Sequence, residues 1–340
     1  MGEGGGIIIM IHSFLPLHHH QQQQQPSIPP KTILVGNVLD RIKEFPDEYF
    51  DCILFSPPYY NDVVYHTKKE WGKEKTVYEY LSKMRKLQNQ LYRILKNCGT
   101  MFVNLGDSYA KRTDGYIVQG SEYGVPERFA IQCIDDGWLK ENTITWLKRN
   151  AMPTSSKKNF WRNTESVYFM TKSKNHFLNK SAVFVPRNTT SSKPFNRRVR
   201  DAKSGNLQKR YGKNQRFSEN EMINSNKFGI KKQDNRGRSD YTDFNNRWDE
   251  NKTTHRDPGT VLDITIKRNA DFHFAAFPVD FAEWFLKCGV PPGGTVLDPF
   301  MGSGTTAIAA ENLGLSWNGI ELKRDYAKKA IKRIGTGSIT

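Results

Sequence analysis

The amino-acid sequence predicts an α/β fold: a doubly wound, mostly parallel sheet with helices on both faces. Three observations carry this. Short apolar runs alternate with longer segments of helical period, the rhythm of βαβ units. Two of the runs stop abruptly in stiff or glycine-rich turns, Ser56-Pro57-Pro58-Tyr59 and Pro299-Phe300-Met301-Gly302-Ser303-Gly304. Between those turns the rhythm halts in a polar, basic stretch and then resumes. Residues 31–170 and 259–340 therefore read as two halves of one domain, and residues 171–258 as an insertion.

The elements follow in order. Thr32–Val35 reads as a strand, with Gly36-Asn37 as its exit turn. Asp51–Phe55 is a short apolar run, hence a buried strand, and the two prolines after Ser56 forbid its continuation. From Thr76 to Leu95 apolar residues recur at helical spacing (Val77, Tyr80, Leu81, Met84, Leu87, Leu91, Ile94), with Gly99 after the helix and a strand over Thr100–Leu105. A helix over Pro126–Asp136 precedes two strands, Ile144–Leu147 and Ser166–Met170, which bracket a polar loop. After the insertion come a helix over Phe281–Cys288, a strand over Thr295–Leu297, and a helix over Thr305–Leu313. A strand over Trp317–Ile320 and a terminal helix over Asp325–Ile334 complete the chain.

Composition narrows the function classes. The 340 residues allow a sizeable core. A mean hydropathy of −0.68 and the lack of any run of roughly 18 to 20 apolar residues argue against a membrane span. Lys and Arg total 51 against 35 Asp and Glu, a net charge of +16. The insertion alone holds 21 Lys and Arg against 9 Asp and Glu. A basic excess gathered in one segment is the footprint of a polyanionic partner, although a polar, charged stretch of this kind also reads as disordered chain. Cys52, Cys98, Cys133 and Cys288 form no CxxC pair, so a zinc site of ordinary spacing is not expected and no metal is assigned. Cys52 and Cys133 lie in apolar runs as core thiols, which suits a reducing compartment. Residues 1–30, with a glycine-rich start, an apolar run and His and Gln homopolymers, read as a low-complexity, disordered tail.

The glycine turn lies between a strand and a helix. Gly302 and Gly304 lack Cβ, so the backbone there can turn tightly and approach a ligand. Glu321 ends the following strand, where a carboxylate can accept from both hydroxyls of a ribose. Together these features describe a site for a nucleoside-containing ligand at the carboxyl edge of a parallel sheet. A nicotinamide dinucleotide and S-adenosylmethionine both satisfy them. A phosphate-binding loop fits poorly, because no Lys follows Gly304.

Ser56-Pro57-Pro58-Tyr59 supplies a complementary set. A hydroxyl, a fixed carbonyl and an aromatic ring at one strand end suit a planar ring bearing an exocyclic amine. Ser56 Oγ and the Pro57 carbonyl can each accept one amine N–H, and Tyr59 can stack on the ring. Two acceptors in tetrahedral directions draw the nitrogen lone pair out of conjugation and make it nucleophilic. A nicotinamide enzyme has no use for such a clamp, so the two turns together favour S-adenosylmethionine.

With both turns in place, the sequence resembles the DNA amino-methyltransferases of restriction–modification systems. Within these it resembles the permuted (beta) group, where a (D/N/S)PP(Y/F/W) turn precedes a target-recognition region and the cofactor turn comes last. The resemblance covers nearly everything from Lys31 to Ile334 except the interior of the insertion. Asp298-Pro299-Phe300-Met301-Gly302-Ser303-Gly304-Thr305-Thr306 resembles the family's DPFxGSGTT motif, and His273-Phe274-Ala275-Ala276-Phe277-Pro278 its HxAxFP segment. Trp146 to Ser155, with Arg162 and Glu165, resembles the loop beyond the catalytic strands.

The resemblance implies a Rossmann-like, circularly permuted methyltransferase fold of the S-adenosylmethionine-dependent type. Residues 31–170 would form the catalytic half, 171–258 the target-recognition region and 259–340 the cofactor half. It implies catalytic roles for Ser56, Pro57, Pro58 and Tyr59. Cofactor contacts would come from Asn37, His273, Phe277, Pro278, Asp298, Pro299, Phe300, Gly302, Ser303, Gly304, Thr305 and Glu321. Asn37 stands where the family commonly has Asp. DNA contacts would come from Lys148, Asn150, Arg162, Arg197, Arg198 and Arg200. The implied partner is double-stranded DNA in a prokaryotic or viral cytoplasm, with a cognate restriction endonuclease acting separately. In the family SPP(Y/F/W) leans to the N4 amine of cytosine, and DPP or NPP forms to the N6 amine of adenine. Adenine methylation and a catalytically inactive DNA-binding relative are the competing expectations.

Overall fold

The computed structural model describes residues 28–61, 71–153, 157–186, 255–266 and 277–340. The tail through residue 27, His273, Arg197, Arg198, Arg200 and most of the basic insertion lie outside the described residues.

The chain enters the sheet on β1 (Thr32–Val35), followed by the short helix α1 (Val38–Arg41) and the central strand β2 (Phe50–Phe55). Helix α2 (Val77–Ile94) leads into β3 (Leu95–Leu105). Then come α3 (Val125–Asp135), β4 (Leu139–Leu147) and β5 (Thr164–Thr171). A two-residue pair, β6 (Val185–Pro186) and β7 (His255–Arg256), forms within the basic insertion, and β8 (Val261–Asp263) follows. The chain ends through α4 (Val279–Gly289), β9 (Thr295–Asp298), α5 (Thr305–Asn312), β10 (Ser316–Glu321), α6 (Arg324–Ile334) and β11 (Ser338–Ile339).

Nine strands form one sheet in the order β11-β1-β10-β9-β2-β3-β5-β4-β8. All neighbours run parallel except β5, which is antiparallel to β3 and to β4. Every residue of β2 is buried, as a central strand covered on both faces requires. Its side chains alternate: Ile53 and Phe55 join the core beneath α2 and α3, while Cys52 and Leu54 join the core beneath α4, α5 and α6. The apolar stripe of α2, from Val77 to Ile94, is fully buried in the first of these cores. Thr76 starts that helix by accepting from Glu79 N–H (3.2 Å). Cys52 and Cys133 are buried core thiols, as expected.

The doubly wound sheet is therefore the architecture that forms, and two local expectations change. Gly99 does not follow the helix but lies inside β3, which begins at Leu95 directly after α2. The register against β2 shifts between Phe50 and Cys52, so a bulge absorbs the extra residues. Space at Gly99 is tight: a Cβ would lie 2.6 Å from Leu95 Cδ1 and 3.0 Å from the Asp51 carbonyl, so a larger residue would have to displace the Leu95 side chain. Strand β4 also starts earlier than expected, at Leu139, because its outer half alternates with solvent and lacks the apolar run that marks a buried strand.

The connection from β9 runs through α5 on one face, and that from β2 through α2 on the other. Adjacent strands whose connections diverge leave a crevice at their carboxyl ends. Both motif turns open on that crevice edge.

Candidate active site at the carboxyl edge

Ser56-Pro57-Pro58-Tyr59 leaves β2 at the crevice edge. Its two prolines stiffen the backbone, and Tyr80 of α2 donates its hydroxyl to the Pro58 carbonyl (3.0 Å). The Tyr59 ring packs against Gly106, where a Cβ would lie 2.6 Å from Cε2. The Tyr59 hydroxyl donates to Glu165 Oε2 (2.9 Å) and accepts from Ser56 Oγ (3.1 Å) and Asn104 Nδ2 (2.9 Å). Burial, reinforced by the Glu165 charge, holds the Tyr59 phenol well above its ordinary pKa. It stays a protonated donor at neutral pH.

The second turn follows β9. Asp298 is buried; its carboxylate accepts from Phe300 N–H (2.9 Å) and Thr306 Oγ1 (2.6 Å), which folds the turn back on itself. Gly302 (φ 51°) and Gly304 (φ 79°) take left-handed conformations. Gly304 also packs tightly, since a Cβ there would lie 2.8 Å from Ile334 Cδ1 of α6. Among the described residues, a Cβ on Gly302 would meet only the Phe300 carbonyl, at 3.7 Å. Ser303 and Thr305 point inward: Arg333 of α6 donates to Ser303 O (2.9 Å), Ser303 Oγ (3.0 Å) and Thr305 Oγ1 (3.0 Å).

Glu321 closes β10 beside this turn. Its Oε2 accepts from Gly302 N–H (2.9 Å) and its Oε1 from Lys323 N–H (2.9 Å). Burial pushes its carboxyl above the ordinary value, and the backbone amides of Lys323, Gly302 and Leu322, with the Lys323 charge, favour the charged form against that. A carboxylate has about four acceptor directions, more than these amides fill.

Phe300 of the second turn reaches the end of β2. Its ring lies 5.9 Å from Phe55, the residue before Ser56, and meets Trp71 edge-on at 5.3 Å. One aromatic side chain of the second turn thus packs at the root of the first.

Comparison with known proteins decides the family. The family described as DNA methylase, grouping N6 and N4 methyltransferases, matches residues 50–332. The chain belongs to the DNA methylase family. Among its relatives, the Type II methyltransferase M.SmaI of Serratia marcescens is 26% identical over 323 residues, covering 89% of this chain and 90% of that protein. Two solved structures share the fold. The cytosine-N4-specific PvuII DNA methyltransferase superposes with a TM-score of 0.58 at 17% identity, covering 91% of this chain and 96% of that one. A DNA modification methylase of Thermus thermophilus, solved with S-adenosyl-L-methionine, gives 0.52 at 19% identity, covering 91% and 97%. The sheet is that of the S-adenosylmethionine-dependent methyltransferases.

Within this methylase the remaining expected site residues take definite places. Asn37 caps α1, its side-chain oxygen accepting from Leu39 N–H (2.9 Å). Pro278 starts α4, and Phe277 stacks on Phe281 at 4.9 Å inside the second core. Lys148 pairs with Glu165, with about 15% of each side chain exposed. Asn150 bonds the backbone of Ile266 in both directions, at 2.8 Å each. Arg162 lies 4.7 Å from the centre of the Tyr109 ring and donates to the Asp107 carbonyl. Asn104, Tyr80 and Arg333 went unrecognised in the sequence, because Asn on a strand, Tyr in an apolar helix stripe and Arg in a last helical turn are all ordinary there.

Proposed function

We propose that this methylase is a site-specific Type II enzyme that transfers a methyl group from S-adenosyl-L-methionine to the N4 amine of cytosine in duplex DNA. The observation that supports this most directly is the pairing of β2 with β9, which sets the Ser56 turn and the Gly302 turn side by side at the carboxyl ends of adjacent strands. When bound, S-adenosyl-L-methionine supplies a methyl group already activated on a sulfonium. Glu321 would hold its ribose hydroxyls, and Gly302 would allow its close approach.

The chain's own contribution is positioning. A paired, stacked cytosine hides its amine, so the base must leave the duplex to reach Ser56. Ser56 Oγ and the Pro57 carbonyl then accept one amine N–H each, and Tyr59 flanks the ring. Holding both reactants in line converts an encounter into a near-unimolecular step. The nucleophile is the base itself; of the four cysteines, Cys52, Cys133 and Cys288 are buried in the cores and none lies in either turn.

The choice of cytosine rests on Ser56 at the head of the turn, the residue that accompanies N4 methylation in the resemblance above. The family spans both amines, so adenine N6 is the alternative product. The order of the turns, Ser56 before Gly302, supports the permuted arrangement. The basic insertion supports duplex DNA as partner, and the Type II relatives support a restriction–modification setting.

Methyl transfer to plasmid DNA tests the reading when combined with calorimetry of cofactor binding. We expect Ser56→Ala to lower transfer by about a hundredfold or more with cofactor affinity unchanged, in line with loss of a reaction-specific contact. We expect Glu321→Ala to weaken cofactor binding by roughly tenfold to a hundredfold, the range for a hydrogen-bonding charged group. Full turnover in the first variant, or full affinity in the second, would remove the corresponding role.

A further inference from the structure

Ser56 can accept an amine hydrogen only if its own proton points elsewhere. A serine hydroxyl carries one donor and two acceptor positions, and its rotation is free unless a neighbour fixes it. If Ser56 were to donate to the amine, it would occupy the lone pair that must attack. Something has to turn that proton away.

The hydrogen bonds around Tyr59 do this, and their direction is determined. Glu165, paired with Lys148, offers only acceptors to the cluster. Asn104 is 2% exposed and donates from Nδ2 to Glu165 Oε2 (2.8 Å) and to Tyr59 Oη (2.9 Å). The opposite amide orientation would set its Oδ1 against the carboxylate. Tyr59 therefore receives from Asn104 and must send its single proton to Glu165 (2.9 Å). The remaining acceptor direction on Tyr59 Oη takes the Ser56 proton (3.1 Å). Both lone pairs of Ser56 are then left facing away from the cluster.

We propose that Glu165, acting through the Tyr59 hydroxyl, is a positioning residue that fixes Ser56 Oγ as a pure acceptor for the amine of the target base. This rests on the methyl-transfer reading above. It also changes the part of Tyr59: its hydroxyl sets the polarity of the turn, in addition to anything its ring does.

A double-mutant cycle on the full chain tests this, using Tyr59→Phe, Glu165→Gln and the double variant. Single-turnover methyl transfer and equilibrium binding of DNA and cofactor are measured for each. The amide of Glu165→Gln can donate to Tyr59 Oη, which frees the Tyr59 proton to point at Ser56 and reverses the chain of bonds. We expect each single substitution to lower the transfer rate by about tenfold to a hundredfold. DNA and cofactor affinities should stay within about twofold, and the double variant should be no slower than the slower single one. Thermal melting checks that each variant is folded, and Tyr59→Phe keeps the ring against Gly106. Losses that multiply, losses confined to binding, or a wild-type rate in Tyr59→Phe overturn the proposal while leaving the enzyme reading intact. A wild-type chain that binds cofactor and DNA but transfers no methyl group overturns both.

Discussion

At Asp298 burial and hydrogen bonding act in opposite directions. Burial raises its carboxyl pKa to about 7, although Thr306 and Phe300 both donate to it. The unfolded chain loses this proton near the ordinary aspartate value of about 4. Between about 4 and 7 the folded state keeps a proton the unfolded state has released, so this residue's contribution to stability falls as pH rises and is flat above. We expect Asp298→Asn to remove that decline. The melting temperature of the variant relative to wild type, both without cofactor, should rise from pH 4 to pH 7; a difference independent of pH would contradict it. The same residue shows what was legible. The sequence pattern located the turn, and the structure shows how Asp298, Ser303 and Thr305 build it. Ser303 and Thr305 face Arg333, and Asn37 caps a helix, because a short polar side chain in a turn satisfies backbone or neighbours as readily as a ligand. Glu165 was visible only as part of a resembling loop, since its partner Tyr59 lies 106 residues away in sequence.

Among the elements, α5 and α6 act as a pair. α5 is rich in small residues, and Ala307, Ala309 and Ala310 are buried, so it packs closely under the sheet. α6 then reaches across with Arg333 to hold the turn that opens α5. Burial lowers the Arg333 pKa, yet its three hydrogen bonds go to the turn that presents Gly302. We expect Arg333→Ala to loosen that turn and weaken cofactor affinity by about 1–3 kcal/mol, with duplex DNA affinity unchanged; calorimetry against each partner checks both. Helical spacing made α2 and α6 readable, and apolar runs made β2 and β9 readable. The junction of α2 with β3 was not, because Leu95 suits either element and only the bulge opposite β2 fixes the strand there. The antiparallel direction of β5 was equally hidden, since alternation of side chains does not record strand direction.

For the molecule as a whole, the pairing of β6 with β7 matters most. Val185 faces Arg256 and Pro186 faces His255, so the two ends of the stretch from 187 to 254 meet at one antiparallel pair. We expect a short turn in place of that stretch to leave the two halves of the sheet joined. The residues before it are part of the frame: Phe177 N–H bonds Cys98 O and Asn179 N–H bonds Cys288 O, each at 2.8 Å. Residues past 171 thus still bond the core, because composition marks where charge accumulates and not where the backbone stops bonding it. We expect the shortened chain to keep cofactor affinity and to lose both site choice and most of the salt dependence of DNA binding. Unaltered site choice would show that the segment does not read DNA. Net charge thus indicated a polyanion, and the two turns supplied the chemistry that charge could not. The most direct measurement of that chemistry is nucleoside mass spectrometry of plasmid DNA treated with the full chain and S-adenosyl-L-methionine labelled on its methyl group. We expect labelled N4-methylcytosine; labelled N6-methyladenine in its place, or DNA left unlabelled by a chain that binds both partners, would contradict it.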